Sequence, residues 1–196
     1  MPGYVRLVGN EIDALTFFIG SIPFTTAAFL QYLQTANARA RTEGAGGAEH
    51  FRVLTWEPRS IDWWASVVQF IGTLFFNAST FWAMHTSLSA TQVDKLVWRP
   101  DIYGSTCFLI ASFLAWVSVS HGPWSWRPGS MSWWISALNM LGSIGFSISA
   151  LAAYAVPTGG EAANVMLVNL GTFFGALCFL AGGLLLLPER TRADGG

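Results

Sequence analysis

Residues 56–84, WEPRSIDWWASVVQFIGTLFFNASTFWAM, decide how this chain is read, because they occur twice. Seventy residues later, 126–154 read WRPGSMSWWISALNMLGSIGFSISALAAY. Ten of the 29 aligned positions are identical, among them Trp56/Trp126, Pro58/Pro128, Trp63/Trp133, Trp64/Trp134, Gly72/Gly142 and Phe76/Phe146. An apolar composition does not give such agreement by chance, so the pattern is an internal duplication. The match continues through Gly104–Leu109 against Gly175–Leu180, at an offset of 71. Residues 56–120 and 126–188 are therefore expected to be two helical hairpins running the same way, related by an axis near the membrane normal.

The surrounding chain is apolar. Of 196 residues, 53% are hydrophobic and 11% charged, and the mean hydropathy is +0.45. Soluble domains carry about 25% charged residues, so an ordinary soluble globule is excluded. The net charge of −1 argues against nucleic acid, whose phosphates call for a basic face. Five runs, uncharged apart from Asp62 at the entrance and His85 at the end of the second, reach the length that crosses a bilayer: 14–38, 62–86, 102–120, 131–156 and 163–187. The expected fold is all-α, an integral membrane bundle of five transmembrane helices with a parallel duplication of a two-helix hairpin.

Four segments follow. Residues 1–61 hold the first helix and a polar glycine-rich loop, 62–125 the first hairpin, 126–188 the second, and 189–196 a polar tail. The first run either spans or lies along the interface. Ala36-Asn37-Ala38 resembles a cleavage site, but the leading segment is acidic and the run too long for a signal peptide, so a retained helix is expected. Seven of the ten Lys and Arg fall on the side of the tail and of the Arg39–Arg59 loop. The expected location is thus the cell membrane, multi-pass, N-terminus outside and C-terminus cytoplasmic. Trp56, Trp63, Trp64, Trp126, Trp133 and Trp134 would be interfacial anchors at the inner headgroup level.

Each run also carries an apolar residue, Gly, then Ser or Thr: Gly20-Ser21, Gly72-Thr73, Gly104-Ser105, Gly142-Ser143 and Gly171-Thr172. In the first four a phenylalanine stands four after the glycine (Phe24, Phe76, Phe108, Phe146), and in the fifth Phe174 stands three after. Glycine admits a close neighbour, the hydroxyl bonds within or across helices, and Phe fills the next turn. Positions kept between the copies form one helical stripe: Ser66, Gln69, Gly72, Phe76, Ser79 and Ala83, with Ser136, Asn139, Gly142, Phe146, Ser149 and Ala153. That stripe is either a helix–helix seam or, around Gln69 and Asn139, the lining of a small polar pocket between the copies.

The repeat apolar-Gly-[Ser/Thr]-x-x-Phe, as in NMLGSIGF and YGSTCF, resembles the small YrhK-like membrane domains. WRPDIYGSTCFLIASFLAW and VNLGTFFGALCFLAGGLLLLPE are similar to multi-span bacterial proteins that carry such units in tandem. The resemblance covers roughly residues 56–188. It implies a helical membrane fold and brings no activity, cofactor or catalytic residue.

No reactive constellation stands out. The runs hold no Asp, Glu, Lys or Arg in their interiors; Asp62 and Asp101 stand at entrances, where a first-turn carboxylate complements the helix dipole. Trp-x-Pro ahead of runs two, three and four is an interfacial anchor followed by a proline that opens a helix. His50, His85 and His121 sit at loop ends on opposite sides, which suits neither haem nor metal. Cys107 and Cys178 are expected at depths roughly 15 Å apart, too far for a disulfide. No catalytic, cofactor or metal site is expected. The expected partners are the lipid bilayer and either a second copy or another membrane protein. The leading function is a non-enzymatic structural or accessory subunit acting through helix packing; the alternative is a small permease or lipid-binding protein with a site between the hairpins.

Overall fold

The computed structural model describes residues 2–38, 52–120, 122, 126–154 and 164–193, with side chains between 12 and 186 in those ranges. Among the described residues there are five long helices: α1 (Pro2–Ala36), α2 (Ile61–Ala83), α3 (Arg99–Ser120), α4 (Met131–Ala152) and α5 (Val165–Ala193). No strand occurs among the described residues. Each helix packs on the next in the chain: α1 on α2, α2 on α3, α3 on α4, α4 on α5.

Two serines start α2 and α4. Ser60 and Ser130 hold extended backbone, and their hydroxyls accept from the backbone N–H groups of Trp63 and Trp133. An N-cap of this kind satisfies a donor that has no partner inside the helix. The prolines expected to open these helices lie ahead of the caps. The carbonyls of Pro58 and Pro128 accept from the indole Nε1 of Trp64 and Trp134, at 3.1 and 2.8 Å. Each first turn is thus tied to the loop before it.

α3 begins differently from expectation. A helical turn, Ala90–Val93, is capped by Ser89 in a reciprocal box with Gln92. It runs into a π-helical turn, Asp94–Trp98, and on into α3. The Arg99 N–H donates to Asp94 O, five residues back, just before Pro100. Proline lacks a donor and its ring crowds the carbonyl four residues earlier; a widened turn relieves both. Asp101 therefore lies inside a continuous rod. Phe108 and Phe179 touch, with ring centroids 6.3 Å apart, so Cys107 and Cys178, one residue before each, are level. The expected depth offset is wrong for the same reason, a rod that starts earlier than its proline suggests. Both cysteines are free.

Among the described residues four stretches are long and apolar enough to cross a membrane: Ile12–Ala36, Ala90–Ser120, Met131–Ala152 and Val165–Leu186. α2 has 23 residues but falls short of them in hydropathy, because Gln69, Asn77 and several hydroxyls interrupt it. α1 starts at Pro2, earlier than the apolar run, and α5 continues through Pro188 to Ala193. The glycine-rich centre of the polar loop, the Pro157–Gly160 turn, His50 and His121 lie outside the described residues.

The interior is small and hydroxylated. Ser21, Ser66, Thr73, Ser105, Ser112 and Ser143 are all at most 3% exposed. The perimeter is large and apolar, with Ile19, Leu30, Leu151, Leu180 and Leu184 each more than half exposed. Water would select the reverse arrangement; helices packed in an apolar solvent bury small residues that let backbones approach.

Candidate functional site

One phenylalanine from each helix meets at the centre of the bundle. Phe24, Phe76, Phe108, Phe146 and Phe179 form a hub of edge-to-face and tilted contacts, with centroids 5.6–6.5 Å apart. Such separations suit aromatic quadrupoles. Phe108, 2% exposed, touches the other four. The α5 member is Phe179, four after Gly175, and not Phe174, which is 49% exposed. The pair Gly171-Thr172 resembles the motif of the other helices, but it is Gly175 whose position matches Gly104.

Glycines set the spacing around the hub. A Cβ on Gly72 would stand 2.9 Å from Cys107 Cβ and 3.0 Å from the Phe108 ring. On Gly142 it would stand 2.8 Å from the Phe179 ring and 3.0 Å from Gly175 O. Gly104 and Gly175 answer across the crossings, 3.0 and 2.9 Å from Gly72 O and Gly142 O. The second pair has a further crossing at Gly145 and Gly171. Gly20 is the exception, with nothing within 4 Å of its would-be Cβ.

Hydroxyls stitch the same seams. Ser112 and Ser143 share a 2.7 Å hydrogen bond between α3 and α4, and Ser143 also donates to Phe108 O. Ser149 and Thr172 are 2.7 Å apart between α4 and α5. Thr80 donates to Ser21 between α2 and α1.

The space left open lies between α1 and α5. Two contiguous cavities of about 490 and 470 Å³ share Phe17, Phe76, Phe146, Thr172 and Ala176. The inner one is lined by all five hub rings and by Gly20, Ser21 and Leu180. The other rises toward the N-terminal ends of α1 and α3, where Asp13, Asp101, Asn169, Ser79 and Ser149 line it. Asp101 is half-buried and has no hydrogen-bond or ion partner among the described residues. Its neighbour Arg99 is held by Asp94 at 2.9 Å.

Of the stripe expected from the sequence, Phe76, Ser79, Phe146 and Ser149 face this cleft, while Gly72 and Gly142 sit at the crossings. Gln69 and Asn139 line neither cavity. Asn139 lies instead against Gly182 of α5, its Oδ1 2.9 Å from where a Cβ would stand. The two cavities open toward α1 and not between the paired amides. The tryptophans also divide. Trp56 and Trp126 are 72% and 73% exposed, and Trp64 and Trp134 are exposed to a lesser degree. Trp63 and Trp133 are buried, Trp63 against Tyr32 and Ala36 of α1, Trp133 against Trp116 of α3. Their positions face the preceding helix, so of the six expected anchors only the other four are exposed. His85 is exposed beside Phe81 and Trp82, and no cluster of three metal-binding side chains occurs among the described residues.

Comparisons of the chain with protein-family models, with curated proteins and with solved structures return no match.

Proposed function

We propose that this protein is a five-span membrane protein, built from a duplicated parallel hairpin with α1 added, that binds a small amphipathic molecule in the α1–α5 cleft. The observation that carries the reading is the cleft: an aromatic floor to which every helix contributes, continuous with a mouth of carboxylates and hydroxyls. Pockets for small molecules are mostly apolar with a few placed polar groups, and bundles form them between helices. A role without covalent chemistry suits a lining that pairs no nucleophile with a base. Five spans are supported by α2's length and by the similar caps and glycine crossings of the two hairpins. The N-terminus is placed outside by the distribution of Lys and Arg, and the YrhK-like resemblance of residues 56–188 fits the same picture.

Filling the cleft tests the binding role. Ala176 lines both cavities, so Ala176→Trp should leave the helices folded and block the space. Native mass spectrometry of protein extracted in mild detergent should find a bound small molecule on the wild type and none on the variant. Identical spectra without added mass on either would sink the reading. Topology is tested separately, with single cysteines at Glu57, Ser87 and Gly129 in a background lacking Cys107 and Cys178. Glu57→Cys and Gly129→Cys should react with an impermeant thiol reagent from one side and Ser87→Cys from the other; Glu57→Cys and Ser87→Cys reacting from the same side, with Gly129→Cys opposite, would reduce the spans to four.

A second reading, an accessory subunit, draws on Gly20 of α1, where an added Cβ would meet nothing within 4 Å. A partner helix lying there would make the protein oligomeric in mild detergent, and Gly20→Leu would dissociate it. A monomer of unchanged mass in both would remove that reading.

A further inference from the structure

Resting on the binding role proposed above, we infer that the cleft selects a cationic single-chain amphiphile taken from the bilayer, its head held at Asp101 and Asp13 and its tail laid on the phenylalanine hub. The two ends of the cleft differ in chemistry. At the floor rings and aliphatic side chains dominate, with Thr16, Ser21 and Thr172 as the hydroxyl residues among them, which suits a hydrocarbon chain. Two carboxylates line the mouth, from different helices, and among the described residues no cation is paired with Asp101. Arg99, the basic side chain next in sequence, is occupied by Asp94.

An unpaired carboxylate on an apolar wall is costly to keep ionised, and a counter-charge from the ligand offsets that cost. A carboxylate or phosphate head would add a like charge where none is compensated. A neutral head would leave Asp101 without a partner. Phe17 and Phe173, on the α1 and α5 lips of the same cavity, add ring faces that attract an ammonium. Along α3 the distance from Asp101 to Phe108 is ~10 Å at the helical rise per residue, which sets the span between head and chain. The gap beside Gly20 leaves the cleft open laterally, so a molecule already in the membrane could enter without passing through water.

The test uses the full chain in phosphatidylcholine nanodiscs and equilibrium dialysis of three radiolabelled probes of equal chain length: decyltrimethylammonium, decanol and decanoate. Empty nanodiscs and the Ala176→Trp protein give the unspecific background. The wild type should bind the cation saturably, about tenfold or more tighter than decanol, with decanoate weakest. Asp101→Asn, close to isosteric, should bring the cation down to the level of decanol, Asp101→Glu should keep the preference, and Asp13→Asn should reduce it less. If all three probes bind alike and Ala176→Trp abolishes all of them, the cleft reading survives and the charge inference is overturned. If no probe binds saturably, both fall. A cation preference that persists in a folded Asp101→Asn protein also overturns the inference. Should that variant not fold, the ranking of the probes on the wild type decides.

Discussion

Gly104 lies so close to Gly72 that a Cβ on it would stand 3.0 Å from the Gly72 carbonyl oxygen, and Gly175 stands in the same relation to Gly142 at 2.9 Å. Each hairpin therefore closes on a pair of backbones, not on side chains. The consequence is that the phenylalanine one turn further along each helix is carried to the same level, and the hub follows from the crossings. What remains unfilled is the side where α1 meets α5 without such a crossing.

Glycine substitutions should then rank by crossing. Gly171→Ala meets Gly145 O at 2.7 Å and Ser149 backbone at 3.0 Å, and backbone cannot move aside. Gly142→Ala meets a ring at 2.8 Å, which can turn, and Gly175 O at 3.0 Å, which cannot. Both should lower the melting temperature in detergent, as overpacking does at ~1–3 kcal/mol, with the leucine variants of Gly72 and Gly142 worse. Gly20→Ala should melt at or slightly above wild type, since it meets nothing and removes a flexible residue. A Gly171→Ala protein as stable as Gly20→Ala would mean the crossings are looser than drawn.

The hub predicts a contrast between two phenylalanines. Phe108→Ala removes a ring in contact with four others, and core truncations of this size cost about 3–5 kcal/mol. Phe174→Ala, at a ring half exposed, should cost little. Thermal unfolding followed by tryptophan fluorescence separates them, and equal losses would contradict the placement of Phe179 in the hub.

Much of this arrangement is legible in the sequence, and the failures have physical causes. The helices starting at 61 and 131 read clearly from their long apolar runs, although the prolines expected to open them lie ahead of the serine caps. Four hub members follow from a glycine one turn earlier. The fifth escapes because α5 contains two candidate glycines, and only packing decides between Gly171 and Gly175. Pro100 suggests a helix start, yet a π turn lets the rod pass through it, which also displaces the apparent depth of Cys107. The cleft was not legible at all: which pair of helices stays apart depends on the whole bundle, and no local pattern encodes it.

Buried hydroxyls offer a measured coupling. Ser143 is fully buried and bonds both Ser112 and Phe108 O. A double-mutant cycle with Ser112→Ala and Ser143→Ala should give an interaction energy of about 0.6 kcal/mol, the average for such bonds between helices in membranes, and at most about 1.7. Additive losses would show that the two hydroxyls act independently through backbone carbonyls.

The two helix starts should respond alike to the same changes. Ser60→Ala and Ser130→Ala each remove an acceptor for a first-turn N–H, at distances of 3.2 and 3.4 Å, and loss of a serine cap typically costs ~1 kcal/mol. Trp64→Phe and Trp134→Phe keep the ring and remove the donor to Pro58 or Pro128. Both bonds are exposed, so each should contribute at the low end of ~0.5–1.5 kcal/mol, the 2.8 Å bond of Trp134 more than the 3.1 Å bond of Trp64. The four melting curves, measured in one detergent, therefore have an expected order: serine variants below tryptophan variants, and matched within each pair. If Ser60→Ala were silent while Ser130→Ala was costly, the first helix start would be held by its packing on α1, through Trp63 against Tyr32 and Ala36. In that case the likeness of the two copies would extend to geometry and not to energetics.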